Sequence, residues 1–420
     1  MIRAALDGVS ASRVVARAWQ LPAARERLVQ GPLHMVAAGK AAPAMATALM
    51  ALPALRVKTA LAIGSHPVAG MPATLDFIAG SHPFPDARSR EAAREALRRA
   101  RAVGPDEHLV MLVSGGASAL MAEAAEGLGF EDKQAATRAF MLAGADIHQL
   151  NALRKHLSLV KGGWLAAACP GLTTTLALSD VVGDDLGVIG SGPGWPDAST
   201  WQDVADALAA RDVAARLPSA LRARIDDGLA GRIPDTPKPG DQRLARAAGF
   251  VVGRAADAVS AAAAAAHAKG YHVAMLSERI TGEARDAAPA WLAAAIADAR
   301  RHRGPVCVLS SGETTVTVRA DGVGGRNLEF ALALVEPMRA VPDAVAASIG
   351  TDGIDGLTDV AGAWVDAQSL ARAAARGLPS PADVLARNDS FHFFSPLGDT
   401  VRTGRTDTNV GDLQVLLVNQ

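Results

Sequence analysis

Residues 34–51 read HMVAAGKAAPAMATALMA: an apolar run, a Gly39-Lys40 turn, then an alanine-rich segment. A short apolar run that ends on glycine and passes into alanine, the best helix former, reads as strand, tight turn and helix. The same grammar recurs along the chain. TALAIG (59–64) and LDFIAG (75–80) end on glycine, HLVMLVSGG (108–116) runs into ASALMAEAA (117–125), and TTTLALSD (173–180) ends on Ser and Asp. SREAAREALRRAR (89–101) has helical spacing. Strand, polar turn, helix, strand is the pattern of a parallel α/β sheet, in which ligands gather beyond the carboxyl ends of the strands. GRIPDTPKPGDQR (231–243) is the best linker, and a second α/β series starts at GFVVG (249–253). It continues through the Ala-rich helix after Arg254, YHVAMLS (271–277), a helix over 283–301, PVCVLSSG (305–312) and TTVTVRADG as a continuing strand. The expected division is an N-terminal domain over 1–235 and a smaller α/β domain over 245–420.

The bulk properties exclude several functions. A chain of 420 residues exceeds what one hydrophobic core usually supports, so two domains are expected. Half the residues are hydrophobic and the net charge is -1, which argues against disorder and gives no basic excess for phosphate backbones. Aromatics are only 4%, too few for base-stacking platforms, so no nucleic acid partner is expected. Cys169 and Cys307 lie far apart, outside any CxxC pattern, and read as buried small hydrophobes in a reducing compartment. No run of about 20 uncharged apolar residues occurs, and the basic N-terminal segment lacks a signal-peptide core. Leu6, Val9, Val14 and Trp19 instead give it the spacing of one structural helix, and the expected location is cytoplasmic.

The chemistry-bearing residues fall at strand ends. Lys40 opens a helix, where an ammonium is unfavourable unless an anion shares the site; a solvated lysine at a turn is the plain alternative. Ser114, Gly115, Gly116 and Ser118 form a glycine-rich turn whose backbone amides can cradle an anion. Arg154, Lys155, His156 and Lys161 lie on or beside one helix. Asp180, Asp184 and Asp185 cluster past a strand end, which suits Mg²⁺ held by one or two carboxylates and phosphate oxygens; capping aspartates are the alternative. Arg326 follows a glycine pair at a helix start, and Asp352, Asp355 and Asp359 occupy a Gly-rich loop without the calcium-loop spacing. GSHP occurs at 64–67 and again at 80–83, bringing His66 and His82 to one sheet edge. There is neither GxxxxGK[ST] nor GxGxxG, so neither a Walker-type nucleotide site nor an ordinary nicotinamide site is expected. The residues point to phosphoryl transfer by a two-domain α/β enzyme.

Taken in order, AAGKAAPAMA, SHPFPD, LVSGGASALM, LRKHLSLVKGG, LSDVVGDDLGVIGSGP, GETTVTV, GGRNLEFAL, GTDGIDGLTDVAGAWVD, NDSFHFF and TNVGDLQVLL resemble the class II, MOFRL-type glycerate 2-kinase family over nearly the whole chain. The resemblance implies a Rossmann-like parallel-sheet N-terminal domain, a smaller α/β MOFRL-type domain and an active site in the cleft between them. It implies ATP-dependent phosphorylation of D-glycerate at the 2-hydroxyl, with Lys40 and Arg326 catalytic. On this reading Ser114, Gly115, Gly116, Ser118 and Lys155 bind substrate or phosphate, and Asp180 accepts or orients the hydroxyl proton. Gly324, Gly325, Asn327 and Asp355 bind nucleotide, Asp184 and Asp352 hold Mg²⁺, and the protein is a monomer or homodimer. Ser311, Trp164, Gly194, Trp195, Arg405 and Asp407 depart from the usual family residues. The alternatives are a hydroxypyruvate reductase, which needs a nicotinamide site, a kinase for another small hydroxy acid, and a nucleotide-binding regulator without turnover.

Overall fold

The structure is a computed structural model describing residues 1–419. β1 (Leu33–Ala38), buried along its length, pairs in parallel with β2 (Val57–Gly64) on one side and β4 (His108–Val113) on the other. β3 (Leu75–Ala79) lies beyond β2, β5 (Leu172–Leu178) beyond β4, and β6 (Ala247–Gly253) beyond β5. The order β3-β2-β1-β4-β5-β6 is that of a doubly wound dinucleotide-type sheet, with its reversal between β1 and β4. Val36, Leu61, Ile63, Leu109, Met111 and Val113 form one face of the core. The helix Ala87–Arg101 packs there through Ala92, Ala93, Ala96 and Ala100, small residues that let helix and sheet approach closely.

The second sheet is mixed. β7 (His272–Met275) and β8 (Ile280–Glu283) run parallel to β9 (Val306–Thr315). β10 (Ala344–Gly350), β11 (Gly362–Asp366), β12 (Thr400–Val401) and β13 (Asp412–Val418) join antiparallel, giving the order β12-β11-β10-β13-β9-β7. Its core holds Trp291 edge-on to Phe330, with ring centroids 5.5 Å apart, and the indole N–H donates to Ser310 Oγ at 2.7 Å. Cys169 and Cys307 are free and buried, and no helix among the described residues is long and apolar enough to cross a membrane.

The chain divides into one compact unit over Val14–Val252 and another made of Met1–Arg13 with Gly253 onward. The Pro-rich segment 231–243 therefore lies inside the first unit, and β6, read from sequence as the start of the second series, extends the first sheet. Arg27 holds that edge in place: its Nη2 donates to the carbonyls of Thr173 (2.8 Å) and Arg246 (2.6 Å). The single N-terminal helix expected is two, Ile2–Gly8 and Ala11–Gln20, and Gly8 packs tightly against Ala261 in the second unit. The strand expected through TTVTVRADG stops at Thr315. Beyond it, Thr317 N–H donates to Glu283 (2.9 Å) and Arg319 N–H to Asn388 Oδ1 (2.7 Å), so side chains replace a partner strand. The helix expected over 117–125 ends at Leu120, because Lys161 Nζ takes the carbonyls of Ser118 (2.7 Å) and Met121 (2.9 Å).

The reversal point is closed by a seam. Ser114 N–H donates to Ala38 O (3.1 Å), Lys40 N–H to Gly115 O (2.8 Å) and Ala41 N–H to Ser114 Oγ (3.0 Å). Gly39 has φ +134°, and a Cβ there would overlap the Ser114 side chain and sit 2.6 Å from its carbonyl oxygen. Gly39→Ala is expected to cost about 2–3 kcal/mol, through an unfavourable φ and this overlap together, measured by urea unfolding.

Candidate active site

The seam places Lys40 and the Ser114–Ser118 turn side by side at the carboxyl ends of β1 and β4. A Cβ on Gly116 (φ +85°) would touch Lys40 Cγ at 3.3 Å and His82 Cδ2 at 3.2 Å, so this glycine is flanked by both side chains. His82 belongs to the second GSHP turn, and Gly80 N–H donates to Gly64 O (2.9 Å), which joins the two turns at one sheet edge as their repetition suggested. Ser118 Oγ shares a hydrogen bond with Ser191 Oγ (2.8 Å), which donates to Asn151 Oδ1 (3.0 Å).

Ser191 brings a second loop to this turn. It has φ +61°, a left-handed conformation that costs a non-glycine residue energy and persists only where surrounding contacts impose it. Those contacts are Gly162 N–H to Ser191 O (2.9 Å) and Gly163 N–H to Gly192 O (2.7 Å), so the Gly162-Gly163 pair clasps the 191–193 loop. Gly190 lies so close to the end of β4 that a Cβ would meet Val113 Cγ1 at 2.8 Å. Asp180 and Asp184 stand in the stretch between β5 and this loop, with Asp184 at φ +53°. Asp185 ties its own turn, accepting from Gly187 N–H at 2.7 Å.

Lys155, expected beside the substrate, is buried and ion-paired: Nζ lies 3.0 Å from Asp197 Oδ1. Asp197 also accepts from Ser199 Oγ (2.9 Å) and Thr236 Oγ1 (2.9 Å); burial alone would raise its pKa, but Lys155 and these donors hold it below the ordinary aspartate value. Trp164 and Trp195, two of the departures from the family pattern, pack in the first unit, Trp164 under Arg243 (5.0 Å) and Trp195 against Gly249 of β6.

In the second unit Arg326 begins the helix Arg326–Leu334. Its Nε donates to Asp412 Oδ1 (3.0 Å) and its Nη1 to Glu313 Oε1 (3.2 Å). Burial opposes the charge, yet Asp412 and Glu313 outweigh it and raise the guanidinium pKa above its ordinary value. Asp355 caps the helix, its two oxygens accepting from Asn327 N–H (3.0 Å) and Leu328 N–H (2.8 Å). Burial pushes the Asp355 carboxyl up to about 7 against those two bonds, and neighbouring Asp412 adds to the rise. Asn327 is buried, with Nδ2 on Asp412 (3.0 Å) and Oδ1 accepting from Ser348 Oγ (2.7 Å). Gly324 and Gly325 lie against Ser390 and Asp355 too closely to admit a Cβ. The residues expected to bind nucleotide thus form the frame that aims Arg326. The three loop aspartates have separate surroundings: Asp355 caps, Asp359 pairs with Arg402 (2.5 Å), and Asp352 Oδ1 accepts from Ile354 N–H (3.3 Å).

No group of three or more His, Cys, Asp or Glu side chains fit to hold a metal occurs among the described residues. Asp184 and Asp352 therefore fit Mg²⁺ only in the manner of one carboxylate with phosphate oxygens and water. The GSHP repeat marks His82 in the sequence, whereas nothing local marks Asn151, Ser191 or Asp412, which were not singled out there.

The chain matches a domain of unknown function (DUF4147) over residues 1–226 and the MOFRL family over residues 306–412. It is 32% identical over 400 residues to a protein of Pyrococcus horikoshii named glycerate 2-kinase, covering 94% of this chain and 89% of that one. The chain belongs to the MOFRL-type glycerate kinase family. The crystal structure of a glycerate kinase from Thermotoga maritima superimposes with TM-score 0.84 at 30% identity, covering 99% of this chain and 97% of that one. A family relative from Agrobacterium vitis, 37% identical over 93% of this chain and 88% of its own, carries the provisional name hydroxypyruvate reductase.

If Lys155 serves the fold through Asp197, removing it strands a buried carboxylate. Lys155→Met is expected to lose about 3–5 kcal/mol in urea unfolding, and adding Asp197→Asn should return part of that loss.

Proposed function

We propose that this member of the glycerate kinase family transfers the γ-phosphoryl group of ATP to the 2-hydroxyl of D-glycerate, with Mg²⁺ accompanying the nucleotide. The observation that carries the reading is the seam at the sheet's reversal point, which sets the Lys40 side chain beside a turn of serine and glycine amides. Most of the work in phosphoryl transfer is positioning and neutralising charge on the transferring group, so a lysine over an amide cradle suits it. Relatives named glycerate 2-kinase and glycerate kinase support the same reaction class.

In this reading Gly115, Gly116 and Ser118 hold anionic oxygens, and Lys40 offsets charge on the transferring phosphoryl. Ser114, whose N–H is taken by Ala38 and whose side chain is buried in the seam, fixes their turn rather than touching the anion. Asp180 accepts or orients the proton of the attacking hydroxyl. Arg326 adds charge through Nη2, the guanidinium nitrogen outside its bonds to Asp412 and Glu313. Gly324, Gly325, Asn327 and Asp355 keep that arginine aimed on the nucleotide side. Asp184 and Asp352 would hold Mg²⁺, which when bound shields the β- and γ-phosphates. The location proposed is the cytoplasm.

The reductase reading draws on the name of the Agrobacterium relative. Against it stands the first strand-to-helix turn, where Gly39-Lys40-Ala41-Ala42 replaces the glycine fingerprint that lets a pyrophosphate approach the backbone. Phosphorus NMR of a mixture of protein, ATP, Mg²⁺ and D-glycerate should give 2-phosphoglycerate and ADP. A 3-phosphoglycerate signal would correct the position. No phosphorylated product, together with NADH or NADPH oxidation on adding hydroxypyruvate, would replace the kinase reading. Lys40→Ala and Arg326→Ala are each expected to lower kcat about 100-fold or more with unfolding midpoints near wild type; near-normal turnover in either would remove that residue from the mechanism.

A further inference from the structure

A half-buried arginine in the first unit lacks a counter-ion among the described residues. Arg154 lies on the helix Ile147–His156, is partly buried, and its guanidinium makes no hydrogen bond or ion pair among the described residues. An arginine stays protonated when buried, so a desolvated guanidinium without a partner is costly unless an anion reaches it. The nearby acid does not serve. Glu123 is already shared by Arg90 (3.1 Å) and Arg94, while Lys133 donates to the Glu123 carbonyl (2.8 Å). Lys161 adds a further buried cation, bound to the carbonyls of Ser118 and Met121. Burial depresses Lys133 to about 7 and Lys161 well below the usual lysine value, and the charge of Arg154 lowers both further.

A second observation points the same way. Asn151 sits three residues before Arg154, which puts both side chains on one face of the helix. It is only 3% exposed, and while Oδ1 accepts from Ser191, the buried Nδ2 has no partner. An orphaned donor of this kind costs about 1–3 kcal/mol unless something fills it. Ser191 is the residue held at φ +61°, and it links Asn151 to Ser118, two residues beyond Gly116.

We infer that Arg154 and the Asn151 amide bind the carboxylate of the acceptor, a small 2-hydroxy acid, next to the phosphoryl cradle. The planar guanidinium fork matches a carboxylate with two parallel hydrogen bonds, and the amide supplies a third. In a 2-hydroxy acid the carboxylate carbon is bonded directly to the carbon bearing the reacting hydroxyl. A carboxylate site must then adjoin the cradle, and the Ser118–Ser191–Asn151 chain makes that link. The adjacent Lys155 faces Asp197 instead, so of the two neighbouring cations Arg154 is the one available to substrate.

This inference rests on the kinase reading but can fail separately from it. Calorimetric titration of the whole protein with D-glycerate, and with glyceramide, which lacks the charge, gives the binding readout; steady-state kinetics give the rest. Expected for Arg154→Ala is a rise of about 100-fold or more in Kd and KM for D-glycerate, little change in KM for ATP, and loss of the preference for D-glycerate over glyceramide. Arg154→Lys should recover part of that preference, and Asn151→Ala should weaken D-glycerate binding about 10-fold. Unchanged D-glycerate affinity in Arg154→Ala, or equal losses for ATP and D-glycerate, overturns the assignment. So does unfolding of both Arg154 variants, which would give the residue to stability. If wild type binds D-glycerate through Arg154 yet transfers no phosphoryl group, the kinase reading fails and the carboxylate site stands.

Discussion

The hydrogen-bonded seam between the ends of β1 and β4 is the constraint on which the first unit's chemistry depends. Two parallel strands whose crossovers depart in opposite directions leave a crevice at their carboxyl ends. Here the crevice is not left open to drift, because three backbone donors from Ser114, Lys40 and Ala41 stitch its walls together. The approach is close enough to exclude a side chain at position 39, so the lysine can follow immediately and emerge beside the cradle. The Gly162-Gly163 pair performs a similar task one layer out, holding Ser191 in a conformation it would not choose alone.

Arg326 and Arg154 sit in opposite surroundings. Arg326 is surrounded by acids and would retain its charge under any physiological condition. Asp355 and Asp412 share that enclosure, and the burial that lifts both their pKa values is offset by the helix amides and by the guanidinium. Such a site is rigid: each group is held by at least one other. Arg154 is the reverse, a guanidinium with cations nearby and an unpaired amide on its own helix face. Order in the first case comes from the chain itself, whereas the second is completed from outside.

The sheet and the cradle were legible because both are local. Short apolar runs ending in glycine, serine or aspartate mark β1 to β5 to within two or three residues, and Gly39-Lys40 and Ser114–Gly116 fall where strand ends should put them. What sequence did not reveal depends on partners far along the chain. β6 looks like the opening of a new domain until Arg27 is seen bridging Thr173 and Arg246. Lys155 and Arg154 are adjacent and both cationic, yet one residue turns a helix by about 100°, so which faces Asp197 is decided by helix phase. Asp355 looks like a ligand among glycines, and only the structure shows its oxygens on the amides of Asn327 and Leu328.

The division of the chain also dictates an order of assembly. Residues 1–13 are made before the first sheet, but their helix packs with segments made after it, against Ala261 and with the Val9 carbonyl accepting from Thr408 Oγ1 at 2.6 Å. On the ribosome those thirteen residues must wait while some two hundred and forty others emerge and fold, until the helix that carries Ala261 gives them a surface to dock on. The second unit is therefore sealed by residues made ahead of the whole first unit, and a chain that stopped before Gly253 would leave that short helix with nothing to cover.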